Sequence, residues 1–215
     1  MKIVETFESI QGESSFVGRP CLFVRAHGCN LSCKWPCDTL YAKEKDNFVE
    51  VSSKDIIELC KRSPARVVQL TGGEPLLQSD EVVAISQQVK EFKTVLIETN
   101  GTVSIEPFKR APKNVHVIMD IKTPSSGMHF YEEEVRRNTR FLRRFDEVKF
   151  VVGNREDFNY AAEKIEEFGL VARVGEILIS PVFGMIDPTL LAEWVLKEMP
   201  FARLQIQLYK LLKVR

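Results

Sequence analysis

The amino-acid sequence predicts an α/β fold, a mainly parallel sheet curled into a partial, incomplete TIM-like barrel. Three features predict it. Short apolar runs rich in Val, Ile and Leu alternate with helical patterns of about 10–15 residues, the signature of βαβ units and a parallel sheet. Six or seven such strands are recognisable in 215 residues, too few for a closed eight-stranded barrel of about 250 residues. Conspicuous polar side chains follow the strands, at the carboxyl ends where parallel sheets hold ligands.

The elements follow in order. Residues 2–10 alternate loosely and read as a short extended segment. Gln11-Gly12-Glu13 opens a loop that Gly18 and Pro20 close, and composition alone makes it a turn. The first core strand spans 21–25. A cysteine-rich loop and a polar stretch, 41–50, come next. Ser52 with Asp55 resembles a capping box, and Ile56, Ile57, Leu59 and Cys60 give the apolar face of a helix that Pro64 stops. A strand at 67–71 runs into Gly72-Gly73-Glu74-Pro75. A helix at 79–92 follows, with Val82, Val83, Ile85 and Val89 inward. Strands at 94–98 and 115–120 flank the Asn100-Gly101 break, and Pro124 to Gly127 form a loop. A charged helix over 132–145 is followed by a strand at 147–152, a helix at 156–168 and a strand at 176–180. Asp187 caps a helix with Pro188 at its first position and Trp194 in its body. The last strand is expected at 203–208. No repeat or linker is visible, so residues 1–215 are expected to form a single domain.

Composition narrows the function. Thirty basic and thirty acidic residues balance, so no global charge draws the chain to nucleic acid or membrane. No apolar run approaches the ~20 residues of a membrane span. The N-terminus lacks a signal-peptide pattern. Five cysteines, three of them clustered, suit a reducing cytoplasm better than a disulfide framework. A small-molecule partner is favoured. The candidate site is the rim: Arg25 and the cysteines after the first strand, Thr71-Gly72-Gly73-Glu74 after the second, Glu98-Thr99-Asn100 after the third. Asp120, Ile121 and Lys122 follow the fourth strand, and Ser180, Pro181, Val182 and Phe183 a later one. A surface ion pair is the plain reading of Arg25, but an arginine that ends a core strand beside the clustered cysteines is favoured to hold a carboxylate bidentately. His27, His116 and His129 lack ligand spacing, and the 132–144 charge run reads as a solvated helix face.

Cys29, Cys33 and Cys37 follow a strand directly. Thiolates so close call for a soft cation. Zinc would need a fourth ligand from His27, Cys21 or Asp38. A [4Fe–4S] cluster, usually held by four thiolates, would keep one iron open.

The pattern resembles a known family. Gly72-Gly73-Glu74-Pro75 beside three cysteines is similar to the radical S-adenosylmethionine (SAM) enzymes, whose open iron is chelated by SAM. Their usual spacing is Cys-x3-Cys-x2-Cys, whereas Trp35 and Pro36 both stand between the last two cysteines here. Four segments resemble 7-carboxy-7-deazaguanine synthases: 7–13, 25–31, Cys37-Asp38-Thr39 and 205–210.

That resemblance implies a radical SAM lyase on a partial barrel of the radical SAM type. It implies conversion of 6-carboxy-5,6,7,8-tetrahydropterin to 7-carboxy-7-deazaguanine with loss of ammonia, in the biosynthesis of 7-deazapurines such as queuosine. It further implies a [4Fe–4S] cluster, SAM and Mg²⁺, a homodimer, and an electron donor such as a flavodoxin. Cys29, Cys33 and Cys37 match the cluster ligands, and Thr39 the Mg²⁺ ligand. Pro36, Cys37, Asp38, Gly72, Gly73, Glu74, Asp120, Ile121, Lys122, Ser180, Pro181, Val182 and Phe183 match SAM contacts. Ile10, Gln11, Gly12, Arg25, Thr71 and the C-terminal Arg215 match substrate contacts. Tyr209 stands where a histidine is common, and Ser14 where glycine is. Two other functions fit parts of the pattern: a glycyl-radical activating enzyme, which shares the cysteines and Gly-Gly-Glu, and a zinc-stapled binding module.

Overall fold

Antiparallel pairing opens the sheet and parallel pairing continues it, in a computed structural model that describes residues 1–214. β1 (Lys2–Ile10) pairs antiparallel with β2 (Pro20–Ala26) and, on its other edge, with the short β3 (Val49–Glu50). From β2 onward every pairing is parallel: β4 (Val67–Gly72), β5 (Thr94–Thr99), β6 (Val115–Ile121), β7 (Glu147–Val152), β8 (Glu176–Pro181) and β9 (Arg203–Leu204). The order is β3-β1-β2-β4-β5-β6-β7-β8-β9, and β3 does not pair with β9. The sheet is open, as the partial barrel required.

Helices cover the outer face: α1 (Ser53–Arg62), α2 (Ser79–Val89), α3 (Glu132–Thr139), α4 (Arg155–Glu167), the short α5 (Leu170–Arg173) and α6 (Pro188–Glu198). Their apolar faces meet every second strand residue. Leu22 and Val24, Val68 and Leu70, Val95 and Ile97, and Val148 and Phe150 join this core. The alternate residues face the concave side. There Cys21, Phe23, Val67, Leu96 and Ile118 form a smaller inner layer, because side chains change face at each strand residue. No helix among the described residues is long and apolar enough to cross a membrane.

Caps set the helix starts. The Ser52 hydroxyl accepts from Asp55 N at 3.1 Å and donates to the Asp55 carboxylate at 2.6 Å, so Asp55 answers the serine side chain rather than its backbone. Asp187 and Asn154 cap α6 and α4.

Several expectations are corrected. The charged helix ends at Thr139, not 145. Asn138 turns inward to bond Ile105 N, Gly101 O and Val103 O, and Arg143 is held in a turn by Asp146, Ala111 O and Val115 O. The helix over 79–92 stops at Val89 and is preceded by a 3-10 turn, Pro75–Gln78. The last strand keeps only Arg203 and Leu204. Gln205 turns in to accept from Ser14 N at 2.7 Å, and Leu208 N donates to Gly12 O at 3.0 Å. These bonds pull the chain off the sheet into α7 (Leu208–Leu212).

Candidate functional site

Period two decides what reaches the concave rim. Arg25 follows Phe23 on β2, Gln69 and Thr71 follow Val67 on β4, and Glu98 follows Leu96 on β5. Asp120 follows Ile118 on β6, and Lys149 follows Glu147 on β7. Arg25, Gln69, Thr71, Glu98, Asp120 and Lys149 line one cavity of about 580 Å³, within the usual size of small-molecule sites.

The cysteine loop forms one wall. Cys29, Cys33 and Cys37 all line the cavity. Burial pushes the Cys29 and Cys33 thiols up, while Lys122 pulls both down. The loop lies along the residues after β6: Lys34 N donates to Ser126 O at 2.9 Å, and Trp35 Nε1 donates to Ser125 Oγ at 2.8 Å. Ser125 is held in turn by the buried carboxylate of Asp157, at the start of α4. The extra residue between Cys33 and Cys37 is accommodated here, with Trp35 anchored on Ser125 and both Trp35 and Pro36 still facing the cavity. The Gly-Gly turn backs the first cysteine. A Cβ on Gly73 would stand 2.3 Å from Gly28 O and 2.6 Å from Cys29 Cβ, and one on Gly72 would stand 2.3 Å from Ala26 O. Only glycine allows β4 to end this close to the cysteine loop.

Thr39 precedes a 3-10 turn, Leu40–Lys43, but its side chain makes no capping bond. Its hydroxyl faces the cavity, 3.5 Å from the Cys37 sulfur. The plain capping role is not what its side chain performs. Arg25 is an ion-pair partner: its Nε donates to Glu5 at 2.8 Å, and Tyr41 OH donates to the same oxygen at 2.6 Å. The guanidinium also lies by the rings of Phe7 and Tyr41. This pair belongs to the cavity wall, with the arginine side chain only 13% exposed.

The opposite wall holds one charge that the sequence did not single out, Lys149, among carboxylates from the loop and the strand ends. Lys149 Nζ lies 2.7 Å from Glu13, 2.7 Å from Glu98 and 3.7 Å from Asp120. Burial works against its charge, but the three carboxylates outweigh burial and hold its pKa well above the ordinary lysine range. Burial likewise raises Glu98, yet Lys149 and its partners bring it below the usual carboxylate value. Gln69 Nε2 and Thr71 Oγ1 donate to the other oxygen of Glu98, and Gln11 donates to Gln69. Asp120 accepts from Lys122 at 2.9 Å, while its buried Oδ1 has no protein partner. The available signal for Lys149 was a lone lysine in the strand 147–152, at the same parity as the inward Glu147.

The segment after β9 covers the mouth. Tyr209 packs on Gly12, where a Cβ would stand 2.3 Å from the tyrosine ring. Its hydroxyl donates to Asp38 at 2.7 Å, and Lys210 reaches the same carboxylate at 2.9 Å. Gln207 Nε2 bonds both Glu13 and the Tyr209 oxygen.

Of the expected contacts, Ile10, Gln11, Gly12, Arg25, Pro36, Asp38, Thr71, Gly72, Gly73, Asp120, Lys122, Pro181, Val182 and Phe183 line the cavity with the cysteines and Thr39. Three side chains do not. Ile121 belongs to the outer core by strand parity. Ser180 is 1% exposed and off the lining. Glu74 is fully buried, and its carboxylate accepts from Asn100 N, Thr99 Oγ1 and Leu76 N. Burial pushes Glu74 up to about 7, against the pull of those bonds. It ties β4 to β5. Arg215 lies outside the described residues.

The zinc reading finds no fourth ligand. His27 bonds Glu44 O and rests on Phe48, Cys21 is buried in the inner layer with its thiol raised to about 12, and Asp38 is held by Tyr209 and Lys210. Among the described residues no three His, Cys, Asp or Glu side chains gather as the ligands of a single ion. A multi-iron cluster places its thiolates on separate metals and does not need them to meet.

Comparison with known proteins agrees with this geometry. Residues 23–154 match the family model of the radical SAM superfamily. A 7-carboxy-7-deazaguanine synthase of Chlorobaculum tepidum is 40% identical over 214 residues, covering 98% of this chain and 93% of the relative. One of Methanospirillum hungatei is 41% identical over 211 residues, covering 98% and 84%. The crystal structure of QueE from Escherichia coli superposes with a TM-score of 0.74 at 26% identity, over 96% of this chain and 93% of that one. Streptococcus suis SuiB bound to S-adenosylmethionine shares the fold, with a TM-score of 0.57 at 13% identity over 84% of this chain and 48% of that one. A relationship of this extent, with the cysteines and the Gly-Gly turn on one cavity, places the chain in the radical SAM superfamily and, within it, in the 7-carboxy-7-deazaguanine synthase family.

Proposed function

We propose that this chain converts 6-carboxy-5,6,7,8-tetrahydropterin to 7-carboxy-7-deazaguanine with loss of ammonia, in 7-deazapurine biosynthesis. The observation that carries it is one cavity shared by the three thiols and by Gln11, Gly12, Arg25 and Thr71, in a chain similar to named synthases over nearly its whole length. The superfamily's resident group is a [4Fe–4S] cluster with SAM, and the donor set fits it: three soft thiols on one wall, Cys29 and Cys33 half-buried and Cys37 exposed. Cys29, Cys33 and Cys37 would hold the cluster. The backbone of Gly72 and Gly73, with Pro36, Asp38, Asp120, Lys122, Pro181, Val182 and Phe183, lines the space for SAM. Once bound, the reduced cluster and SAM supply the radical that abstracts hydrogen.

The chain's own residues bind and orient. Arg25 spends one N–H on Glu5, so its remaining donors are available to the pterin carboxylate. The rings of Phe7 and Tyr41 keep the guanidinium in place and shed water from it. Thr39, whose hydroxyl faces the cavity with only the Cys37 sulfur as its contact among the described residues, offers an oxygen to Mg²⁺, a hard ion that takes oxygen ligands and shares them with substrate. The side chains of Glu74, Ile121 and Ser180 support these walls from behind. Arg215 stays a proposed substrate contact by resemblance, as do the homodimer and a flavodoxin-like electron donor.

The test is substrate deuterated at C6, incubated without oxygen with reconstituted protein, SAM, Mg²⁺ and reductant. Formation of 7-carboxy-7-deazaguanine with label appearing in SAM is expected. Unchanged pterin from protein with full iron, Mg²⁺ and a working reductant overturns the reading.

A further inference from the structure

Lys149 lies among carboxylates from three separate elements: Glu13 from the loop after β1, Glu98 from β5 and Asp120 from β6, the last of which it shares with Lys122. It is 5% exposed and sits between Val148 and Phe150, both fully buried. A lysine there is costly unless its charge is matched, and three acceptors match it. Its partners are also held from their far sides. Glu98 receives Gln69 and Thr71 on one oxygen and Lys149 on the other. Glu13 receives Gln207 on one oxygen and Lys149 on the other. Glu13 and Glu98 are therefore each fixed in orientation by bonds to both carboxylate oxygens.

We propose that Lys149 is a positioning residue of the substrate pocket. It holds Glu13 and Glu98 at one spacing as acceptors for the N–H edge of a 2-amino-4-oxo heterocycle. The inference rests on the pterin reading above and adds to it the group that builds the acceptor wall. Such a heterocycle presents neighbouring ring and exocyclic N–H donors, and a carboxylate oxygen has a second lone pair to accept them. Acceptors that are already oriented lose no rotamer freedom on binding. Lys149 stays a fixed ammonium throughout, so its contribution lies in binding and alignment, not in proton transfer. Through Glu13 and Gln207 it also reaches Tyr209, so the acceptor wall and the mouth cover share one hydrogen-bonded chain.

The test compares Lys149→Met with the wild type, both reconstituted with iron and sulfide. The probe is oxidised 6-carboxypterin, whose fluorescence reports binding without turnover; KM and kcat are then measured with the tetrahydropterin. Lys149→Met should weaken 6-carboxypterin binding at least ten-fold and raise KM by a similar factor. The kcat at saturation should fall less than three-fold, with SAM affinity and iron content unchanged. Lys149→Arg should recover part of the binding. If the single variant fails to fold, Lys149→Met with Glu13→Gln removes one charge of each sign and keeps the cavity's balance; binding should still fall ten-fold. Wild-type affinity in either variant, or a loss confined to kcat, overturns the proposal. If the wild type binds 6-carboxypterin but does not turn over the tetrahydropterin, the reaction assignment fails while the Lys149 comparison still reads out. No binding by the wild type overturns both.

Discussion

On β4, β5 and β7 the pleat of the sheet alone brings Gln69, Thr71, Glu98 and Lys149 to the cavity. On the segment after β9 no period does this. Gln207, Tyr209 and Lys210 arrive because Glu13, Gly12 and Asp38 hold them. The wall is backed by ladder bonds and by the helix-side core. The cover rests on a handful of side-chain bonds, each worth about 1 kcal/mol. A site can thus be rigid on the side that must align a reaction and loose on the side that must admit the substrate. The cysteine loop is intermediate, being irregular but docked on Ser125 and Ser126.

The largest effect is expected where the wall touches the cysteine loop. Gly73→Ala would drive a methyl into Gly28 O and Cys29 Cβ, and neither atom can swing away. We expect a loss of about 2–3 kcal/mol and reconstituted iron below a tenth of the wild-type content. Iron analysis beside thermal melting checks this. Full iron with an unchanged melt would show that the wall yields as readily as the cover.

Glu74 gives the wall a pH signature. Its folded pKa, pushed by burial to about 7, lies above the ~4.3 of an exposed glutamate. The folded state binds this proton more tightly than the unfolded state. Stability should therefore fall as pH rises from about 4.5 to about 7, and the loss is complete above that window. The difference in unfolding free energy between the wild type and Glu74→Gln, measured by urea titration across pH 4.5–8, should change by about 1–3 kcal/mol. A difference constant with pH would mean that Glu74 is ionised at no cost.

The cover predicts a smaller and more local change. Tyr209→Phe keeps the ring on Gly12 and deletes the hydroxyl shared by Asp38 and Gln207. Global melting should move by no more than about 2–4 °C. Amide exchange in residues 207–212 should accelerate about five-fold, as expected for a bond near 1 kcal/mol. Equal acceleration in β4 and β5 would erase the distinction between wall and cover.

The same contrast explains what could be read from the sequence. The parallel strands were legible because buried strands are near-continuous apolar runs, and the rim because polar residues end those runs. Face assignment was also available: parity alone separates Asp120 and Lys122 from Ile121, and Gln69 and Lys149 from Val68 and Phe150. Tertiary bonds were not legible. Leu204, Ile206 and Leu208 alternate like a strand, and only Gln205 bonded to Ser14 reveals the turn away. The fate of the extra residue beside Pro36 depended on Ser125, ninety positions away from Trp35. Glu74 looked like a ligand contact because it sits in a ligand motif, whereas its carboxylate supports Asn100 and Thr99.

Ser14 tests where wall and cover are joined. Its φ of 65° places it in the left-handed region, which costs an L-residue about 1 kcal/mol or more. Its N–H holds Gln205, and its hydroxyl accepts from Phe16 N at 3.1 Å. Ser14→Gly removes the backbone strain but also the hydroxyl acceptor, and it loosens the unfolded chain. Those terms, each about 0.5–1 kcal/mol, nearly cancel, so stability should stay within about 0.5 kcal/mol of wild type. Ser14→Ala loses the same acceptor and keeps the strain that the wild type already carries, so it should cost about 0.5–1 kcal/mol. The gap between the two variants, measured by urea denaturation, isolates the backbone contribution from the hydroxyl. If alanine is tolerated as well as glycine, the left-handed backbone at Ser14 costs no more than glycine's extra freedom in the unfolded chain. The link from the loop after β1 to the cover would then rest on the Gln205 bond alone.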